Sequence, residues 1–125
     1  MNPTEVHAFA TRLMQEVWEP FEADKLSEFY HPDVVGHHRL QTFGYKDLEN
    51  RLAWDRKNRA NQAFNITNII AEEDKFAIRF IFTAIDNAQK QEPPIEVIYF
   101  YHLRDGKISE FWLLASVDFD YKQPA

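Results

Sequence analysis

Residues 95–119 read IEVIYFYHLRDGKISEFWLLASVDF, two aromatic-rich runs on either side of Asp105-Gly106. Asp-Gly between alternating apolar runs is one of the strongest sequence signals for a β-hairpin. Large apolar side chains occupy both parities of these runs, with Tyr99 on one and Phe100 on the other. We therefore expect an antiparallel pair of strands covered on both faces, by helices on one side and a second copy of the chain on the other.

Length and composition predict one soluble domain spanning residues 1–125. The chain has 125 residues, of which 45% are apolar and 15% aromatic, enough for a core of its own. A net charge of −6 argues against nucleic-acid binding, and the lack of cysteine excludes disulfides and thiolate chemistry. Without a basic-then-apolar leader or an apolar run of membrane-spanning length, we expect a cytoplasmic protein with no membrane contact.

The first helix is marked clearly. Asn2 can cap it, Pro3 suits its first position, and Glu5 can reach back to complete a capping box. Apolar residues then recur at helical spacing until Pro20. The pattern predicts one helix that buries one face.

The rest of the chain predicts two more helices, with strands after the last of them. The expected order is a helix over 24–30, a strand over 33–40, a helix over 46–59, strands over 64–71 and 76–86, and the closing hairpin. This order is typical of an α+β domain, a curved antiparallel sheet wrapped around about three N-terminal helices. Because such a sheet twists, we expect a cone-shaped fold with a deep apolar pocket on its concave side.

Four stretches carry a family resemblance: FYHPDVVGHH at 29–38, IIAE at 69–72, FAIRF at 76–80 and RDGKISEFW at 104–112. Their order resembles the nuclear-transport-factor-2-like superfamily, in particular its SnoaL-like and ketosteroid-isomerase-like branch. The resemblance implies a cone fold that is usually homodimeric and works without a metal or organic cofactor. The fold hosts isomerases, aldol cyclases, epoxide hydrolases and members that only bind or scaffold.

The resemblance also implies candidate catalytic residues. The general-base position of ketosteroid isomerases falls on His38, whereas the histidine common in SnoaL-like proteins falls on His37. The isomerase acid that donates to the enolate oxygen falls on Tyr99, and the first-helix tyrosine falls near Met14, which has no proton to donate. Asp118 is a reserve candidate for a pocket acid if a bulge reverses the direction of its side chain.

Imidazole and phenol together can support proton abstraction. A histidine can accept a proton from carbon next to a carbonyl if a donor stabilises the oxyanion that forms, and His38 with Tyr99 would supply both groups. Either histidine can instead be a hydrogen-bonded structural residue. His37 and His38 should point to opposite faces of one strand, so a shared metal ion is not expected.

Strand parity and the family register predict an apolar, aromatic pocket, with plain core packing as the alternative. The predicted ligand contacts are Met14, Trp18, Tyr30, Trp54, Ile78, Phe80, Phe82, Tyr101, Phe111 and Leu113. On the outer face we expect Arg79 and Glu110 to pair across strands. That face is also the predicted homodimer contact, through Arg79, Phe100, Glu110 and Trp112.

Three functions remain open from the sequence. The first is a cofactor-free isomerase, cyclase or hydrolase that acts on a small hydrophobic carbonyl compound or epoxide. The second is a pocket protein that binds a small hydrophobic molecule without turnover. The third is a protein-interaction module that uses the outer sheet face.

Overall fold

The computed structural model describes residues 1–118, in which helices pack on one face of a curved, open six-stranded sheet. The helices are α1 (Pro3–Leu13) with a π-helical continuation (Met14–Trp18), α2 (Leu26–Phe29) after a 3-10 turn (Ala23–Lys25), and α3 (Tyr45–Asn58). The strands are β1 (Tyr30–His38), β2 (Gln41–Phe43), β3 (Ala60–Glu72), β4 (Lys75–Ile85), β5 (Ile95–Arg104) and β6 (Lys107–Ala115). The predicted α+β class is confirmed.

Helix α1 begins with the predicted capping box. The Glu5 amide donates to Asn2 Oδ1 at 2.9 Å, and the Asn2 amide donates to Glu5 Oε1 at 3.0 Å. After Leu13 the helix widens, and the Glu19 amide bonds the carbonyl of Met14, five residues back, at 2.8 Å. This π-helical turn leaves both Met14 and Trp18 buried against the sheet.

The sheet has the strand order β2-β1-β6-β5-β4-β3. Four of its neighbouring pairs are antiparallel, as expected, but β1 and β6 run parallel. Parallel neighbours need a long connection, and here the chain passes through β2, α3 and three further strands between them. The sheet is therefore mixed, which the local sequence pattern did not reveal.

The sequence placed the first strand at 33–40, but β1 starts at Tyr30 and ends at His38. A two-residue turn, Arg39-Leu40, then leads into β2, and both turn residues have positive φ, 52° and 67°. Such turns usually carry Asn or Gly, so Arg-Leu gave no signal and β2 was missed.

The closing hairpin is confirmed. Strands β5 and β6 pair antiparallel, and its turn residues Asp105 and Gly106 have positive φ of 51° and 78°. Strand β6 ends at Ala115, earlier than expected, and Phe119, the predicted end, lies outside the described residues.

The core lies between the helices and the concave side of the sheet, called here the inner face. On β4 and β5 every second side chain is buried on this face: Phe76, Ile78, Phe80, Phe82 and Ala84, then Val97, Tyr99, Tyr101 and Leu103. The other side of the sheet is called the outer face. Among residues 1–118, no helix has the length and apolar character needed to cross a bilayer.

Candidate functional site

His38 and Tyr99 lie in one row of the inner face, with Leu113 of β6 between them. Tyr99 pairs with Leu113 across β5 and β6, and His37 pairs with Trp112, which places His38 beside Leu113. His38 and Tyr99 are both buried. Because neighbouring strands are about 4.8 Å apart, the two backbones are separated by about 10 Å.

The imidazole of His38 is held by the backbone of β6. Its Nδ1 lies 3.1 Å from the carbonyl oxygen of Leu113. A carbonyl oxygen can only accept a hydrogen bond, so Nδ1 is the donor of the neutral ring. The lone pair is then on Nε2, an atom that is also buried, so His38 presents a basic nitrogen within the core.

The ring of Tyr99 belongs to a ladder of stacked aromatics on β4 and β5. It stacks on Tyr101 with centroids 5.3 Å apart and planes 6° apart, and on Phe80 at 6.0 Å. Tyr101 stacks on Phe76 at 4.4 Å. Packed rings fix the direction of the Tyr99 phenol, as a group that donates to a ligand requires.

The π-helical continuation of α1 contributes a buried polar contact to this region. The indole Nε1 of Trp18 donates to the hydroxyl oxygen of Tyr30 at 3.1 Å. Met14, near which the resemblance placed the isomerase tyrosine, is also buried. Its thioether is only a weak acceptor and cannot donate.

Gly36 on β1 provides space for two rings on the inner face. An added Cβ would lie 2.6 Å from ring carbons of Phe43 and 2.7 Å from Cζ of Phe111. Real side chains do not approach this closely, so Phe43 and Phe111 pack directly on the backbone of β1, two residues before His38.

The structure brings most predicted site residues together on the inner face and separates three. The buried set is Met14, Trp18, Tyr30, His38, Ile78, Phe80, Phe82, Tyr99, Tyr101, Phe111 and Leu113. Trp54 is only half-buried, on α3. His37 points to the outer face, and the side chain of Asp118 is 85% exposed and pairs with Arg39 at the surface. Asp118 therefore does not join the buried set.

The outer face carries its own cluster around Trp112. His37 stacks on Trp112 with centroids 5.1 Å apart and planes 10° apart, and its Nε2 lies 2.6 Å from Glu110 Oε2. The expected pairing of Arg79 with Glu110 is wrong, since β5 lies between their strands and Arg79 pairs with Glu96. Contact of a second copy with this face remains a prediction, which its exposed apolar side chains favour: Val35, Ile98, Phe100 and Leu114.

A buried ion cluster on α3 was missed from the sequence. Asp55 bonds Arg51 at 3.3 Å and Arg59 at 2.5 Å, and Arg59 also forms two bonds to Glu92, at 2.7 and 3.0 Å. The four-residue spacing of Arg51, Asp55 and Arg59 predicts that they share one face of α3. The neighbouring sequence does not show that another part of the chain covers this face. Arg51 and Arg59 also lie over the ring of Trp54, with centroid distances of 5.2 and 4.9 Å.

This cluster joins the end of α3 to the connection between β4 and β5. Glu92 belongs to the connection between β4 and β5, and the side chain of Asn87 in that connection donates to Asn58 at 2.7 Å. Burial raises the pKa of Asp55, and the two arginines oppose that effect only in part. Burying the Asp55 carboxylate therefore costs more solvation free energy than its interactions with Arg51 and Arg59 return.

Within residues 1–118, no group of three histidine, aspartate or glutamate side chains is arranged to hold a metal ion. His37 and His38 point to opposite faces of β1, as the alternation of a strand requires.

Comparison with known proteins agrees with the fold. The model of the SnoaL-like polyketide cyclase family matches residues 8–117. The chain belongs to this family. No curated protein matches it.

Solved structures of this fold include SnoaL-like proteins. AclR of Streptomyces galilaeus, a proposed hydroxylase, is 18% identical with a TM-score of 0.81 over 91% of this chain and 80% of that one. A proposed SnoaL-like polyketide cyclase of Jannaschia sp. CCS1 is 16% identical, with a TM-score of 0.71 over 91% and 87%. IdmH of Streptomyces antibioticus, a proposed polyketide cyclase, is 14% identical, with a TM-score of 0.70 over 93% of each chain. These likenesses support the fold alone.

Proposed function

We propose that this SnoaL-like protein is a cofactor-independent cyclase or isomerase of a small hydrophobic carbonyl compound. His38 is its general base and Tyr99 its oxyanion donor. The observation that supports this most directly is their shared row on the inner face, two strands apart. Leu113 lies between them in that row, so in the proposed complex the substrate carbonyl lies over Leu113, with the neighbouring carbon toward His38 and the oxygen toward Tyr99.

The proposed reaction begins with proton transfer. Nε2 of His38 accepts a proton from the carbon next to the carbonyl, and the electrons of that C–H bond form the enolate. The Tyr99 hydroxyl donates a hydrogen bond to the enolate oxygen. In an aldol cyclisation, the enolate carbon bonds to a second carbonyl carbon of the same substrate, and the new alkoxide takes the proton back from His38.

The surroundings of the two residues suit this chemistry. The stacked rings of Phe76, Tyr101, Tyr99 and Phe80 are all buried, and a hydrogen bond to an oxyanion is stronger in such low-dielectric surroundings. Flat, apolar substrates also match stacked rings. We expect no organic cofactor to be needed, because acid–base and hydrogen-bonding groups suffice for enolate chemistry.

Binding without turnover is the second candidate, and Met14 is the observation that favours it. Met14 is buried at the start of the π-helical continuation of α1, near which the resemblance places the donor tyrosine of ketosteroid isomerases, and it leaves the proposed oxyanion with one donor fewer. The two candidates differ in one measurable property, which is the removal of a proton from the ligand.

Exchange of a carbon-bound proton tests the proposal. The probe is 2-tetralone, a bicyclic ketone, and proton NMR in D2O follows deuterium incorporation next to its carbonyl. We expect exchange above the buffer rate with the wild-type chain. His38→Gln should slow the catalysed exchange by about 100-fold or more, and Tyr99→Phe by a similar factor.

His37→Gln is the matched control, because it removes the neighbouring imidazole from the outer face. It should exchange 2-tetralone at the wild-type rate. An unchanged rate in His38→Gln would refute the assignment of the base. Thermal stabilisation by 2-tetralone with no exchange above the buffer rate would support the binder instead.

A further inference from the structure

Strand β3 is an unusually long edge strand. It spans 13 residues, whereas most strands have about five or six. It pairs with β4 on one side, and within residues 1–118 the sheet order has no strand on its other side. An edge of this length offers a row of backbone donors and acceptors to another strand.

The side chains of β3 do little to block such pairing. Residues 60–71 read ANQAFNITNIIA, with no charged residue and no proline. Natural edge strands are often protected by lysine or proline, and here only two irregularities of register interrupt the strand. Two large apolar side chains, Ile66 and Ile70, are exposed on it.

The charges that flank β3 differ in sign at its two ends. Arg56 and Lys57 form the last turn of α3 just before the strand, and Glu72 and Glu73 close it. Two copies of β3 that run antiparallel would place the basic end of each beside the acidic end of the other. A parallel arrangement would place like charges together.

We propose that β3 pairs antiparallel with β3 of a second copy of this chain. The contact is isologous, and the sheet continues through both copies. If Ala60 lies opposite Glu72 of the other copy, Ile66 lies on the twofold axis. The uncharged middle of the strand then meets itself without repulsion.

A surface groove beside the edge has space for side chains of the added strand. It lies between the first turns of α1 and the end of β3, and it is lined by Pro3, Thr4, His7, Ala8 and Ala71. Alternate side chains of a strand added to β3 would point toward this groove. Both the backbone edge and the groove are therefore available to the same partner.

Sedimentation equilibrium of the full chain tests this contact. Ile70→Lys places a charge on the outer side of the edge strand β3, and Leu114→Lys places the same charge on the outer side of β6, in the middle of the sheet. The two positions are similarly exposed, 68% and 70%, so neither change disturbs the core. We expect Ile70→Lys to raise the dissociation constant of the assembly at least tenfold.

A charge exchange gives a second, independent measurement. Lys57→Glu and Glu73→Lys should each weaken the assembly, and the chain that carries both changes should regain most of the wild-type mass.

The possible outcomes separate edge pairing from other assemblies. Loss of mass in Ile70→Lys supports the proposal if the chain with both charge changes regains its mass and overturns it if that chain does not, because Ile70 pairs with Ala77 and its side chain also lies on the outer face. A wild-type chain that stays monomeric at all concentrations overturns it. Loss of mass only in Leu114→Lys also overturns it, because the copies would then meet through the outer face.

Discussion

Nδ1 of His38 lies 3.1 Å from the carbonyl oxygen of Leu113, and this bond connects the imidazole on β1 to the neighbouring strand β6. The bond determines which ring nitrogen is basic, because the carbonyl can only accept. Leu113 also pairs with Tyr99 on its other side. One residue of β6 thus positions the proposed base and lies beside the proposed oxyanion donor.

We predict that neutral His38 is the tautomer with its proton on Nδ1. Nitrogen-15 NMR of the imidazole should show a protonated Nδ1 and a lone pair on Nε2. A proton on Nε2 would contradict the assignment of the base, because the lone pair would then be on Nδ1, which faces the carbonyl oxygen of Leu113.

Gly36→Ala should destabilise the fold by about 1–3 kcal/mol, the usual cost of overpacking a core. Its methyl group would lie 2.6 Å from the ring of Phe43. Urea unfolding measures the loss. Gly44→Ala is the control, since its methyl group would be 3.6 Å from the nearest atom, the carbonyl oxygen of Val34. Equal losses in the two variants would contradict this account of Gly36.

The bond from Trp18 to Tyr30 predicts a non-additive pair of substitutions. Tyr30→Phe removes the acceptor of the buried indole N–H and should cost about 1–3 kcal/mol. Trp18→Phe removes the donor. Because both remove one interaction, the double variant should lose less stability than the sum of the single losses, as thermal unfolding can show. Full additivity would mean that the bond contributes nothing.

Much of the fold, but less of the site, could be predicted from the sequence. Asn2, Glu5 and Asp105-Gly106 signal structure through their immediate neighbours, so the first helix and the closing hairpin were predictable. Strand order is a property of distant residues. For that reason the parallel contact of β1 with β6 was missed and Arg79 was assigned the wrong partner.

The contacts of the charged residues on α3 could not be predicted from the sequence for the same reason. In the sequence, the many charges of residues 46–59 resemble those of a solvated helix surface. Asp55 is buried because Arg59 and Glu92 close over it, and Glu92 comes from a connection 33 residues further along the chain than Arg59. Only the folded chain brings these residues together.

Asp55→Ala should lower the free energy of unfolding by about 3–5 kcal/mol, the usual effect of breaking a buried ion pair from one side. Arg51 and Arg59, which are half-buried, would each lose an acceptor. Glu49→Ala on the same helix is the control, because its pairing with Lys46 is at the surface and should contribute less than about 1 kcal/mol. Similar losses at the two positions would show that the cluster is not buried in solution.

The stability that depends on Asp55 should vary with pH. Burial raises the pKa of its carboxyl group above the ordinary 3.8, so the folded chain holds this proton more tightly than the unfolded chain. The stabilisation that comes from this tightly held proton is therefore fully present below pH 3.8. It is lost as the pH rises through the pKa of Asp55 in the folded chain. The wild-type chain should lose stability relative to Asp55→Asn over that range, measured by urea unfolding at several pH values. A gain of stability with rising pH would contradict this account, because it would mean that the arginines lower the pKa of Asp55 by more than burial raises it.

The most direct test of the proposed function is a crystal structure of the chain with 2-naphthol, a stable mimic of the enolate of 2-tetralone. We predict that the naphthol oxygen lies within hydrogen-bond distance of the Tyr99 hydroxyl and that the adjacent ring carbon faces Nε2 of His38. Naphthol bound away from these two residues, or in contact with only one of them, would contradict the proposed pairing of base and oxyanion donor.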